Sequence, residues 1–420
     1  MKILVVGGGG REHAIVWKIA QSPRVTRIYC APGNPGIAEL ATLVPIPIDQ
    51  IDALLKFAVS ERIELTVVGP EIPLSLGIVD RFEAAGLNIF GPSRAASEIE
   101  TSKFFSKQLM QKYHIPTARA EVVTQQEGYA RLSSFQYPLV LKADGLAGGK
   151  GVVIAETEKD AIAGLDAFKK LGHAADKILL EEYLVGVEAS FFALSDGVHV
   201  LPLTSAQDHK QLFDGNQGPN TGGMGAISPA PAFTTEIETA VMEQIIHPTL
   251  AGLANEGRPY RGILYAGLMF TSSGISVLEF NARWGDPEAQ AIFPRLQVDW
   301  VAVMEATQNR SLDTIQLQWA DTTSLCVVLA AGGYPGHHQQ GDKITGLSGW
   351  DRAGKSETQL FHAGTVRRGE ALFTAGGRVL GVVGQGRSAA EARDRVYRAI
   401  GSVSFNGMHY RKDIGHCRVP

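Results

Sequence analysis

Glu279, Asn281 and Arg283 occupy every second position of the run LEFNARWGDPEAQ, and Asp286 and Glu288 follow across a Gly-Asp-Pro turn. Alternate side chains of an extended strand share a face. The spacing therefore gathers a carboxylate, an amide and a guanidinium on one side and leaves Leu278, Phe280 and Ala282 for a core on the other. Carboxylate and amide oxygens are hard ligands that suit Mg²⁺, and a planar guanidinium suits phosphate oxygens. A half-exposed strand with a polar outer face fits the same pattern, so the rest of the chain has to choose between the two.

Four other stretches bear on that choice. GGGGREHA (Gly7–Ala14) opens a helix but fails the G-x-G-x-x-G spacing: Glu12 or His13 stands where the last glycine belongs. A nicotinamide fingerprint is thus excluded, leaving either a tight turn or a substrate phosphate or ribose site at a helix N-terminus, with Arg11 adding charge. LKADGLAGGKGV is one residue too short for a Walker loop, and Gly151 stands where a hydroxyl should hold Mg²⁺. As a glycine hairpin carrying Lys142 and Lys150, it is either a surface turn or a cover over polyphosphate, built from backbone amides and ammonium groups. LLEEYLVGVEAS sets Glu181, Glu182 and Glu188 around an apolar hinge. That is a solvated acidic patch or a purine–ribose contact. AQDHKQLFDGNQGPNTGGMGAISPAP places Asp208, His209, Lys210 and Asp214 before a long glycine- and proline-punctuated loop of the kind that covers active sites. No serine or cysteine sits in a nucleophile-elbow setting, so Asp-His-Lys is not read as a protease-like triad. The adjacent His337 and His338 face apart and lack spaced partners, which makes them loop residues rather than metal ligands.

These segments need elements to hold them. KILVV, RIYCA, LTVVG and LNIFG are short apolar strands separated by helical stretches near 11–21, 52–61 and 78–85. Such alternation predicts a doubly wound parallel sheet, whose ligands lie at the strands' carboxyl ends. The loops at Gly7–Arg11, Pro32–Gly36 and Gly69–Pro73, the last read as a turn, should then share one edge. TSKFFSKQLMQKY predicts an amphipathic helix with a Thr or Ser N-cap. YPLVLKAD and GVVIAE read as two arms of a hairpin, and Ala389–Ile400 as a closing helix. The fold expected is a mixture of α/β and α+β domains: an α/β domain over 1–100, a two-lobed core over 101–326 with a small lobe near 120–190, and a strand-rich domain over 327–420.

The 420 residues carry a net charge of −4 and a mean hydropathy of +0.01. No basic excess points to nucleic acid, and the four-residue apolar run Ile3–Val6 is too short for a signal core or a membrane span. Cys30, Cys326 and Cys417 are an odd number, far apart and without CxxC spacing, as expected for a reducing cytoplasm.

Taken together, VVGGGGREHA, GPE, LKADGLAGGKGV, DHK…GPNTGGMGA, LEFNAR.GDPE.Q, AAGGYP, FHAGT and GGRVL resemble the glycinamide ribonucleotide synthetase family (phosphoribosylamine–glycine ligases) of the ATP-grasp superfamily, along essentially the whole chain. The resemblance implies an N-terminal domain for phosphoribosylamine, two lobes sandwiching ATP and a completing C-terminal domain. The implied reaction, in de novo purine synthesis, phosphorylates glycine and then joins it to 5-phosphoribosylamine. Glu279 and Asn281 would hold Mg²⁺ or Mn²⁺, and Arg283 would steady the transferring phosphoryl group. Lys103, Lys142, Lys150 and Lys210 would meet the nucleotide, with Gly148, Gly149, Lys150 and Gly151 as the closing hairpin. Glu181, Glu182, Tyr183 and Leu184 would read adenine, and Glu188 the ribose. Gly9, Gly10 and Arg11 would face phosphoribosylamine. Asp214, Asp286 and Pro287 would lie near amine and glycine, and Arg283, Asp214 and Lys150 make up the expected catalytic set. The expected partners are these small molecules only, with no nucleic acid and no membrane, for a monomer.

The chain departs from the family pattern at Trp284 (usually Phe), Gln211 (Arg), Asn216 (Asp) and Ile227 (Tyr), and Ile263–Phe270 offers no acidic metal ligand. The competing readings are another ATP-grasp carboxylate–amine ligase or a biotin-carboxylating enzyme, and a nucleotide-binding regulator without turnover.

Overall fold

The computed structural model describes residues 1–145, 151–347, 350 and 357–416. Five parallel strands open the chain, in the spatial order Thr42–Leu43, Arg27–Pro32, Lys2–Gly7, Leu65–Val68 and Ile89–Phe90. Apart from the edge strand Thr42–Leu43, their apolar runs are buried on both faces, as helices packed on a parallel sheet require. The chain order reverses beside Lys2–Gly7, and the three expected loops meet there. Gly33 N–H donates to the Gly7 carbonyl (3.0 Å) and Gly69 N–H to the Val6 carbonyl (3.0 Å). Asn34 Nδ2 donates to the Gly8 carbonyl (2.9 Å). A methyl group on Gly8 would lie 2.7 Å from the Gly33 carbonyl oxygen, so glycine is required by close approach. The PEIP segment, expected as a turn, opens the short helix Glu71–Ser75, because Pro70 sits at its N-cap with extended backbone.

The helix Lys103–Lys112 begins as expected, with Ser102 Oγ accepting from Phe105 N–H (3.0 Å). A further helix, Arg94–Thr101, precedes it. The small lobe is a four-stranded antiparallel sheet in the order Ala120–Val123, Ile178–Glu182, Leu139–Ala143, Val152–Ala155. It has its own core of Leu139, Leu141, Leu165, Phe168, Ile178 and Leu180. Leu139–Ala143 and Val152–Ala155 are the two hairpin arms; Gly148, Gly149 and Lys150 between them lie outside the described residues.

An eight-stranded antiparallel sheet follows, in the order Gly274–Asn281, Arg261–Thr271, Val187–Asp196, Val200–Asp208, Gly225–Ser228, Thr323–Ala330, Arg378–Gly386, Thr358–His362. Thr323–Ala330 pairs with the core on one side and with C-terminal strands on the other, so one sheet runs through both regions. The helix Gly10–Ile19 is the pin that joins the parts, buried at all ten positions. Trp17 and His13 pack edge-on against Phe361 (centroids 5.9 and 5.4 Å apart), and Arg11 reaches the Trp284 carbonyl. Among the described residues, no helix is long and apolar enough to cross a membrane.

Candidate active site

Gly274–Asn281 is the edge strand of the large sheet, with Glu279 opposite Gly267 and Asn281 opposite Tyr265. From Glu279 onward the alternation is as expected: Phe280, Ala282 and Trp284 are buried, while Glu279, Asn281 and Arg283 are partly open. Leu278 departs from it. A register shift falls there, because Leu268 pairs with Val277 and Gly267 with Glu279, so Leu278 is an extra residue. A bulge of this kind re-aims a side chain. Leu278 therefore borders a cavity, and its carbonyl accepts from Lys142 Nζ (3.0 Å).

Two cavities meet at this strand. The smaller, about 190 Å³, is lined by Lys103, Lys107, Lys142, Gly151 and Glu181. The larger, about 1320 Å³, lies between the N-terminal domain (Arg11, Glu71), the central loop (Asp208, Lys210, Gly222) and the C-terminal region (Tyr334, Arg378). Glu71, Glu279, Asn281 and Arg283 border both, forming a common wall.

Charge is concentrated on that wall. Arg283 is held by Glu100 (Nη2–Oε1 2.8 Å) and Glu71 (Nε–Oε2 3.2 Å), and Glu100 also accepts from Ala282 N–H (2.7 Å). Burial opposes the charge on Glu71, but Arg283 and Arg11 outweigh it and hold the carboxyl below the usual range. Burial likewise acts against Glu279, and Lys210, Lys142, Lys103 and Arg283 together pull its pKa down, keeping it ionised. Lys210 stands between two carboxylates, Glu188 (3.4 Å) and Glu279 (3.7 Å), and the nearer, Glu188, raises its pKa most. Burial lowers that of Lys103, whose Nζ donates to the Gly145 carbonyl (3.0 Å).

Deeper in the larger cavity Asp208 and Glu288 form a second pair. Burial raises both, and the mutual repulsion of their charges adds to the effect on Asp208. Ser190 Oγ lies within hydrogen-bonding distance of both Glu288 Oε1 (3.3 Å) and Tyr265 Oη (2.9 Å). Asp286 has the opposite fate: burial works against its charge, but Arg378, 3.0 Å away, holds its pKa low. Gly223 closes this corner at a φ of +108°, where a methyl group would stand 2.8 Å from Asp208 Oδ1.

The expected site residues are distributed as follows. Lys103, Lys142, Gly151 and Glu181 line the smaller cavity; Arg11, Lys210 and Asp286 line the larger. Glu181 is buried between Lys142 (2.7 Å) and Lys107 (3.1 Å), so its carboxylate locks two lysines. Glu182 turns to Arg119, Tyr183 is exposed, and neither they nor Leu184 are among the described lining residues. The amide of Gly9 is taken by Glu12 (2.7 Å), and neither Gly9 nor Gly10 is among the residues described at either cavity. Pro287 packs behind Gly223. Asp214 is exposed, accepts from Lys412 N–H (2.8 Å), and is not among the residues described at either cavity; Asp208 is the aspartate of that stretch that lines one. Sequence reasoning missed Glu71, Glu100, Tyr265 and Arg378 as individual residues. Glu71 and Arg378 sit in the GPE and GGRVL segments, which signalled them; Glu100 and Tyr265 read as ordinary helix and core positions.

Of the hard-oxygen donors on the common wall Glu71 is tied to Arg283, which leaves Glu279 and Asn281, and among the described residues no group of three or more His, Cys, Asp or Glu is placed to hold a metal alone. The pair fits a divalent ion that takes its remaining oxygens from a phosphate chain.

A parallel α/β domain, a small lobe with its own core and a lysine-lined cavity at the edge of a large antiparallel sheet together define an ATP-grasp protein. Family models of phosphoribosylglycinamide synthetase match in register: the N domain over residues 1–100, the ATP-grasp (A) domain over 101–289 and the C domain over 324–417. The phosphoribosylamine–glycine ligase of Caldanaerobacter subterraneus subsp. tengcongensis is 48% identical over 418 residues, 99% of each chain. That of Vibrio cholerae is 47% identical over 423 residues, 99% of this chain and 98% of its own. The crystal structure of the Thermotoga maritima enzyme superposes with a TM-score of 0.85 at 33% identity, covering 98% of this chain and all of that one. A biotin carboxylase from Campylobacter jejuni shares the fold alone, with a TM-score of 0.75 at 15% identity over 99% of this chain and 94% of its own. The chain belongs to the phosphoribosylglycinamide synthetase family.

Proposed function

We propose that the chain joins glycine to 5-phosphoribosylamine at the expense of ATP, through glycyl phosphate, giving glycinamide ribonucleotide, ADP and phosphate in de novo purine biosynthesis. The observation that carries this reading is the wall of Glu71, Glu279, Asn281 and Arg283 common to two cavities. A phosphoryl group passing from a nucleotide in one to an acceptor in the other must cross it. In this assignment the lysine-lined cavity takes ATP, and Lys103, Lys142 and Lys150 are assigned to its phosphates. The larger cavity takes glycine and the ribosylamine, with residues 1–100 supplying Arg11 at the ribosylamine end.

A carboxylate is a poor acyl donor, so the glycine oxygen first attacks the terminal phosphorus and the bond to ADP breaks. The ribosylamine nitrogen then adds to the acyl carbon, phosphate leaves, and the nitrogen loses a proton. Such chemistry needs positioning and charge neutralisation more than a covalent nucleophile. Arg283, oriented by Glu71 and Glu100, faces the transferring group. The Asp208–Glu288 pair, with raised pKa values, is suited to take the amine's proton. Glu279 and Asn281 would hold Mg²⁺ or Mn²⁺, which neutralises phosphate charge when bound. One copy of the chain supplies every residue invoked, so the monomer is the proposed active unit. The two described cysteines are free buried thiols, which supports a cytoplasmic setting.

The test is ADP release with Mg-ATP, glycine and phosphoribosylamine generated in the assay, each omitted in turn. Strict dependence on glycine and the amine is expected. Turnover that instead needs bicarbonate, or tight ATP binding without turnover, defeats the reading.

A further inference from the structure

The hairpin of Gln211–Phe213 and Gln217–Asn220 walls the larger cavity with Leu212, Phe213, Pro219 and Asn220. It stands as a separate two-stranded sheet, and Gln217–Asn220 is exposed along its length. Its apolar anchorage is slight: Leu212 is its one member of a small cluster with Met224 and Ala330. Burial of so little surface cannot fix the hairpin's position, so polar contacts have to.

Those contacts come from the C-terminal segment His409–Asp413. Arg411 is 1% exposed and lies against Asp413 through both Nε and Nη2 (2.7 Å each). It donates to the Gln211 carbonyl (3.1 Å) and to Asn216 Oδ1 (2.9 Å), spanning the hairpin from its first strand to its turn. Asp413 in turn accepts from Gly215 N–H (2.8 Å), and Asp214 accepts from Lys412 N–H (2.8 Å). His409 Nε2 bonds the Leu212 carbonyl (3.0 Å), and its ring meets Phe213 edge-on. The segment is itself tied to the large sheet, since His409 and Ala330 exchange both backbone bonds, and to the helix Ala389–Ile400, whose Tyr397 Oη donates to the Arg411 carbonyl (2.8 Å). A guanidinium fork that satisfies three acceptors in fixed directions locates them as a point charge cannot.

We propose that Arg411 is a positioning residue for the reaction, with Asp413 and Asn216 as its partners: the C-terminal segment sets the hairpin that shapes the glycine and ribosylamine side of the cleft. Asp214 belongs to this clasp and not to the reacting groups. The proposal rests on the assignment of the larger cavity to those two substrates, and it gives Asn216 a role as an acceptor for Arg411.

The test compares steady-state constants for all three substrates in Arg411→Met, Asn216→Gly and Asn216→Asp. Asn216 has a φ of +57°, so glycine removes the acceptor without backbone strain. Arg411→Met should raise KM for glycine and the amine about tenfold, and Asn216→Gly about threefold, with KM for ATP within about twofold of the parent. Asn216→Asp restores the acceptor and should return both constants to within about twofold of the parent. Hydrogen exchange at Leu212 and Gly215 should quicken about tenfold in the two weakened variants and not in Asn216→Asp. If Arg411→Met fails to fold, Asn216→Gly with its aspartate rescue carries the test alone. Unchanged exchange, unchanged KM for glycine and the amine, or an equal rise in KM for ATP overturns the proposal. A parent enzyme without glycine-dependent ADP release defeats the functional reading instead, and the exchange data still decide whether the clasp holds the hairpin.

Discussion

Arg283, two residues past the end of the edge strand, owes its position to two carboxylates from other segments. Glu71 arrives from the N-terminal domain and Glu100 from the helix before the small lobe, and both grip the guanidinium. In the proposed reaction, a guanidinium held so would stabilise developing charge without reorganising when the charge appears. Arg283→Ala should therefore cost roughly 3–4 kcal/mol of transition-state stabilisation, a fall in kcat of about 10²–10³. Near-parent turnover in that variant would remove Arg283 from the mechanism. Its residue type and face were legible in the alternation of LEFNARW, whereas the carboxylates orienting it lie about two hundred residues away in sequence. The same limit explains two local differences. Leu278 leaves the apolar face because a bulge, set by pairing with Arg261–Thr271, adds one residue there. Asp208 rather than Asp214 lines the cavity because one ends a core strand and the other lies in a hairpin turned toward the C-terminal segment.

Elements with strong local signals were legible almost to the residue. Ala389–Ile400 is a helix as expected, begun by Ser388 Oγ accepting from Glu391 N–H (3.2 Å). The hairpin arms at Leu139–Ala143 and Val152–Ala155 follow from apolar runs either side of glycines. The link between small lobe and core was harder to see. Glu181, expected at adenine, lines the smaller cavity, and its carboxylate is also a buried lock that joins Lys142 of the lobe to Lys107 of the preceding helix. Removing one member of a buried charge cluster strands the rest, so Glu181→Ala should destabilise this junction by about 3–5 kcal/mol. Hydrogen exchange on strands Leu139–Ala143 and Ile178–Glu182 measures it, with faster exchange there than in Lys2–Gly7. Uniform protection across both regions would show that the lobe's own core, not the lock, holds it.

Over the whole molecule, one helix joins first and last domains, and its His13 reports on that union. His13 Nδ1 accepts from His362 N–H (2.8 Å), which requires an unprotonated nitrogen. Burial, with His362 beside it, holds its pKa well below the ordinary value. Below the unfolded histidine's pKa of about 6.5 the unfolded chain binds a proton that the native chain refuses. The contribution of His13 is thus complete above that pH and is lost as the pH falls through and below it, towards the depressed folded value. Thermal melts from pH 8 to pH 5 should show this loss, and His13→Asn, which offers an oxygen acceptor that does not titrate, should flatten the slope; an unchanged slope would assign the acid sensitivity elsewhere. By itself the sequence determined the parallel first domain, the hairpin arms, the polar face of the edge strand and, through motif resemblance, the family. These rest on side-chain period, glycine clusters and caps, all properties of contiguous residues. Only the tertiary structure decided which carboxylates hold Arg283, that Glu181 is a lock and that the C-terminal segment clasps the hairpin. Those outcomes depend on burial and charge among segments distant in the chain, and desolvation acts on a group only once its neighbours have been folded around it.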